Sequence, residues 1–132
     1  MTLDRINPPG LPTPSGYAHA VLATGSRIVF LAGQTATDTD GRITGSTMVE
    51  QFERALDNML TALRAAGGQP IDLASVTMYT VDMDGYRANA RAIGRVWRRL
   101  AGTDYPAMAG LGVARLWDRE ALVELQGVAV LP

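Results

Sequence analysis

The strongest hydrophobic periodicity lies between residues 47 and 66. Val49, Phe52, Leu56, Met59, Leu60 and Leu63 recur at steps of three and four, so a helix here carries one apolar stripe. Thr47 and Glu50 have capping-box spacing, and Gly67-Gly68 ends the helix with backbone freedom. A second helical pattern, Tyr86, Ile93, Val96, Trp97 and Leu100, is predicted to begin after Asp84 as its N-cap. Elsewhere the pattern alternates or is continuously apolar, which predicts strands at about residues 19–23, 28–34, 75–81, 108–115 and 122–130. Gly25-Ser26 reads as a hairpin turn between the first two strands. Ile28-Val29-Phe30-Leu31-Ala32 is apolar at every position, the pattern of a strand covered on both faces. Four prolines between residues 7 and 16 remove backbone donors and leave an arm or loop. Strand-strand-helix-strand-helix-strand-strand is the order of a two-layer α+β domain, with two helices on one face of a mixed sheet. No linker or repeat divides residues 1–132, so a single domain is expected.

Composition narrows the chemistry. A net charge of −1 creates no global field for nucleic acid or anionic lipid. No apolar run approaches the ~18 residues of a membrane span. The N-terminus lacks the basic-then-apolar pattern of a secretory leader, so a cytoplasmic protein with no membrane partner is expected. There is no cysteine, and all 12 basic residues are arginine. A disulfide, a thiolate nucleophile, a Cys-ligated zinc and a lysine Schiff base are thereby excluded. His19 is the single histidine, so one chain has no multi-His metal centre. No nucleophile elbow and no dinucleotide Gly fingerprint is present. Neither a metal nor an organic cofactor is expected.

The informative motifs are six. They are Gly16-Tyr17-Ala18-His19-Ala20-Val21, Val29-Phe30-Leu31-Ala32-Gly33-Gln34, and Gln51-Phe52-Glu53-Arg54-Ala55-Leu56-Asp57-Asn58. Then come Val76-Thr77-Met78-Tyr79-Thr80-Val81-Asp82-Met83-Asp84, the run from Tyr105-Pro106-Ala107-Met108 to Leu116, and Val123-Glu124-Leu125-Gln126-Gly127-Val128-Ala129-Val130. In this order and spacing they resemble the Rid family (reactive intermediate deaminase, YjgF-like) over nearly the whole chain. The resemblance implies a Rid, chorismate-mutase-like fold and a homotrimer around a central β-barrel, with ligand clefts between subunits. It also implies hydrolysis of small enamines or imines.

In deaminating members an arginine follows the Pro-Ala and holds the substrate carboxylate. Here Met108 stands there, and a thioether cannot form the two-pronged contact of a guanidinium. The resemblance makes Gly33 a cleft-lining glycine and Tyr17 a hydroxyl at the cleft mouth. Gly110 stands where many members have a cysteine. A family asparagine falls near Asn89 or Ala90. The resemblance sets Gln126 in place of a water-positioning glutamate, and a neutral amide can orient water but cannot take its proton. Glu124 shares a strand face with Gln126, and its role is open between cleft and interface. His19, the side chain whose ordinary pKa is nearest neutrality, either assists proton transfer or is a hydrogen-bonded structural residue. Arg115 either replaces the lost cation or forms a surface ion pair; seven residues past Met108, an ideal strand would put it on the opposite face. Arg87, Arg91, Arg95, Arg98 and Arg99 form a broad basic face on the second helix. A phosphate-tracking stripe is one reading, and a solvated surface is the favoured one.

Three functions remain open at this stage. The first is an imine or enamine hydrolase acting on a metabolite without a carboxylate anchor. The second is a non-catalytic small-molecule binder, and the third, a minor alternative, is a ribonuclease.

Overall fold

The computed structural model describes residues 2–132. Helix α1 (Met48–Ala65) forms where the apolar stripe predicts it. Thr47 Oγ1 accepts from the Glu50 amide, and the Glu50 carboxylate accepts from the Thr47 amide, closing the capping box. The Thr47 hydroxyl also donates to the Glu50 carboxylate at 2.9 Å and is the largest cause holding that carboxyl below its ordinary range, ahead of the Ser46 and Thr47 amides. Phe52, Leu56, Met59, Leu60 and Leu63 are buried against a four-stranded sheet.

That sheet has the order β3 (Arg27–Gln34), β6 (Val123–Leu131), β4 (Leu73–Thr80), β5 (Ala107–Gly112). β6 runs antiparallel to both neighbours, while β4 and β5 are parallel. A parallel pair needs a crossover, and two helices supply it. These are α2 (Met83–Ala88) and α3 (Ala90–Ala101). Val123, Leu125, Ala129 and Leu131 alternate inward along β6 and meet Ile93, Val96 and Trp97 of α3 and the stripe of α1 in one core. The result is an α+β fold with a helical layer on one sheet face.

Several expectations need correction. Residues 19–23 and 28–34 do not form a hairpin. Strand β2 (Ala20–Thr24) instead pairs antiparallel with β1 (Thr2–Ile6), which the hydrophobic pattern did not predict. The reason lies at the turn, where the Ser26 amide donates to the Leu131 carbonyl at 2.9 Å. A Cβ on Gly25 would lie 2.4 Å from that same oxygen. The chain therefore passes over the end of β6, and β3 pairs with β6 rather than folding back on β2.

The second helix is two helices. Its first N-cap is Asp82, not Asp84: Asp82 Oδ1 accepts from the Gly85 amide at 2.9 Å. Asn89 interrupts the helix at φ −102° and ψ 13°, with its side-chain amide donating to the Gly85 carbonyl. The strand predicted over 108–115 ends at Gly112, and the Val113 amide makes the last bond of the parallel ladder, to the Thr80 carbonyl at 2.8 Å. Ile28 and Phe30 are not covered on both sides. They share the face opposite the helices with Val128 and Val130, and Phe30 is 79% exposed.

Candidate functional site: a cleft at the β5 edge

Ala18 bridges Ala107 in parallel register, and its amide donates to the Pro106 carbonyl at 2.9 Å. This lays residues 17–19 along the edge of β5. The Arg5 guanidinium fixes the same corner by donating to the carbonyls of Ile71, Asp104 and Tyr105. Tyr17 is thereby brought beside Met108 and Gly110, and with Gly16, Met78, Tyr86 and Ala109 they enclose about 310 Å³. A Cβ on Gly110 would approach the Met78 terminal methyl to 3.1 Å, so the small residue keeps this space open.

A larger cavity of about 600 Å³ adjoins it, sharing Gly16, Tyr86 and Met108. Its walls include Phe52, Ile93, Trp97 and Tyr105, and Arg91, Arg95 and Arg98 of α3 border it. Trp97 and Tyr105 stack at 6.4 Å, and Phe52 meets Tyr86 edge-on. Burial pushes the Tyr86 phenol up to about 12, so it lines the cleft as a neutral hydroxyl.

Other sequence-predicted site residues lie on the open sheet face. The β3–β6 register shifts between Leu31 and Gln34, placing Gly33 in an irregularity of the ladder. A Cβ on Gly33 would lie 2.8 Å from both Cδ and Oε2 of Glu124, so the glycine admits that carboxylate. Gln126 is exposed and accepts a hydrogen bond from the Tyr79 hydroxyl at 3.1 Å. Glu124, left open by the sequence, is thus the residue set against Gly33, while the Gln126 carbonyl oxygen is engaged by Tyr79.

His19 belongs to the arm. Its Nε2 lies 2.6 Å from the Pro12 carbonyl, and a carbonyl only accepts, so Nε2 carries the proton. Its amide donates to Asn7, and its ring meets Tyr17 edge-on at 5.1 Å. Arg115 is exposed in the loop over residues 113–122, beyond the end of β5, so the strand-face argument does not govern it. Neither His19 nor Arg115 lines either cavity. That loop is fastened to α1 by Gln51, whose amide donates to the Glu120 carbonyl and accepts from the Leu122 amide.

Sequence reasoning missed the placement of Tyr86 and of the three α3 arginines at the cleft. The 91, 95, 98 spacing was visible, but the pattern alone did not say which neighbour that face meets. Among the described residues no cluster of three His, Cys, Asp or Glu side chains suits a metal ion, and no helix is long and apolar enough to cross a membrane.

The fold is an α+β domain with a cleft built at its parallel crossover, and comparison with known proteins gives the family. Residues 11–131 match the family described as Endoribonuclease L-PSP, and the chain belongs to it. A RutC family protein of Pyrococcus horikoshii is 30% identical over 120 residues, covering 89% of this chain and 90% of the relative. The human 2-iminobutanoate/2-iminopropanoate deaminase is 26% identical over 115 residues, 86% of this chain and 79% of the relative. A solved Rid-family protein from Yersinia pestis superposes with a TM-score of 0.89 at 32% identity, covering 99% of this chain and all of that one.

Proposed function

We propose that the protein is an oligomeric Rid-type hydrolase of C=N bonds, with Glu124 rather than Gln126 handling water. The observation that carries this reading is the Glu124 carboxylate set against Gly33 on the same scaffold as the Tyr17–Met108–Gly110 cleft. A carboxylate can take a proton from water where an amide cannot. In the proposed reaction the water oxygen bonds to the imine carbon and the C=N electron pair moves to nitrogen. Glu124 accepts a water proton and returns it to nitrogen; the carbinolamine hydroxyl proton then passes to the same nitrogen as the C–N bond breaks, releasing ammonia and leaving the carbonyl. Tyr17 would orient the substrate at the mouth.

The two groups of residues lie on different surfaces of one subunit. A second copy laid on the open face would cover Ile28, Phe30, Val128 and Val130 and bring a neighbour's β5 edge toward Glu124. The homotrimer expected from the sequence fits this need. Met108 supports the non-catalytic alternative, a binder, because β5 offers no guanidinium to draw an anionic imine. Three arginines bordering a cavity of about 600 Å³ favour a small ligand over a nucleic-acid backbone.

The test is carbonyl release from a panel of neutral and anionic imines, measured above spontaneous hydrolysis. Turnover that falls about a hundredfold or more in Glu124→Gln supports the hydrolase. No acceleration of any imine by the folded oligomer leaves the binder.

A further inference from the structure

The geometry points to an anion-binding subsite on α3, in which Arg91, Arg95 and Arg98 grip the oxyanion of a ligand whose apolar body fills the cavity beside Met108. This inference rests on the reading that the β5-edge cleft is where ligands bind.

Positions 91, 95 and 98 are four and three apart, so their side chains leave one face of the helix. All three border the same cavity, and no acidic residue lines it. Among the described residues the recorded ion pair of this helix is Arg99 with Glu53, which belongs to the neighbouring surface. Arg91, Arg95 and Arg98 therefore gather like charge without a carboxylate partner. Such a gathering opposes helix formation unless an anion compensates it.

Trp97 is a second, independent sign. It is 5% exposed and lines the cavity wall, and its indole Nε1–H is buried without a hydrogen-bond partner. A buried donor without an acceptor is unfavourable.

The walls choose the ligand's other end. Phe52, Ile93, Trp97, Tyr105 and Met108 present rings and apolar stems, while a guanidinium fork suits a carboxylate or a phosphate ester equally. The ligand class is therefore a small amphipathic acid, with an aromatic or branched apolar body and one terminal oxyanion. Where β5 lacks a cation at Met108, α3 supplies one from the other wall.

Equilibrium binding tests this without any imine. The probes are phenylpropionate, phenyl phosphate and neutral phenylpropionamide, titrated by calorimetry into the full chain. A Trp117→Phe background leaves Trp97 as the source of the one indole N–H resonance, because the chain has two tryptophans. One or both anions should bind about tenfold or more tighter than the amide and shift that resonance. Arg95→Gln, and the triple change with Arg91→Gln and Arg98→Gln, should remove that preference by weakening the acids about tenfold or more, toward the affinity of the amide. Glutamine keeps helix propensity, and far-ultraviolet circular dichroism checks the fold. The phosphate and carboxylate arms separate the two sources of oxyanion. Equal binding of acid and amide, arginine-independent acid binding, an unmoved Trp97 signal, or no saturable binding each overturns the subsite. Acid binding without imine turnover would uphold the subsite and reject the hydrolase; turnover with arginine-independent acid binding would do the reverse.

Discussion

Glu124 and Tyr86 show how single residues take their character from their surroundings. Glu124 lies against Gly33 because that position has no Cβ, and an alanine there would have to displace the carboxylate. Tyr86 borders both cavities, and desolvation raises its phenol from 10.0 to about 12. The folded chain then holds this proton in a range where the unfolded chain has lost it. Stability from Tyr86 is thus complete below about pH 10 and falls as pH climbs toward 12. Urea melts at stepped alkaline pH should show that decline in the wild type and a shallower one in Tyr86→Phe. Parallel declines would mean the phenol is not desolvated as its burial indicates.

At the scale of elements, the break between α2 and α3 matters most, since it sets Tyr86 on one helix and the three arginines on the next. Asp82 caps α2 through the Gly85 amide, whereas Asp84 contributes only a charge in the first turn. Asp82→Ala should therefore cost about 1 kcal/mol of folding stability, and Asp82→Asn much less. Asp84→Ala should cost only a few tenths of a kcal/mol. Chemical denaturation compares the three, and an equal loss at both aspartates would contradict the observed cap. The capping box of α1 was readable from Thr47 and Glu50 because its partners are three residues apart. The α2 cap was misplaced by two residues because Asp82 and Asp84 are both acceptable caps in isolation, and the Thr80 hydroxyl that meets the Asp82 amide acts only once β4 is in place. Likewise β1 went unread. Thr2–Ile6 carries little hydrophobic pattern and is a strand because it pairs with β2.

For the whole molecule, the open sheet face is the decisive surface. Ile28 is 61% exposed and Phe30 79%, side by side with Val128 and Val130 across the β3–β6 ladder. An apolar row of this kind is a typical association surface. Phe30→Glu should leave a single subunit folded, because Phe30 touches solvent there, and should dissociate the oligomer proposed above. Sedimentation velocity reads the outcome; a monomeric wild type, or an undisturbed oligomer in the variant, would reject the interface. The continuous apolar run from Ile28 to Ala32 led to an expectation of burial on both sides. Within one chain the helices cover only one side, and Ile28 and Phe30 on the other stay exposed.

Residue order was enough for the helical stripe of α1, its capping box, the α+β class, the family motifs and the presence of a thioether, Met108, on β5. These are readable because they depend on neighbours within one turn or one strand, or on residue identity. Tertiary structure alone decided that β2 leaves β3 for β1, that Glu124 rather than Gln126 faces Gly33, and that three arginines of α3 share a cavity with Met108. Each of those depends on contacts between residues far apart in the chain, where register shifts, a glycine without a Cβ and a helix break fix which faces meet, and no local periodicity encodes that choice.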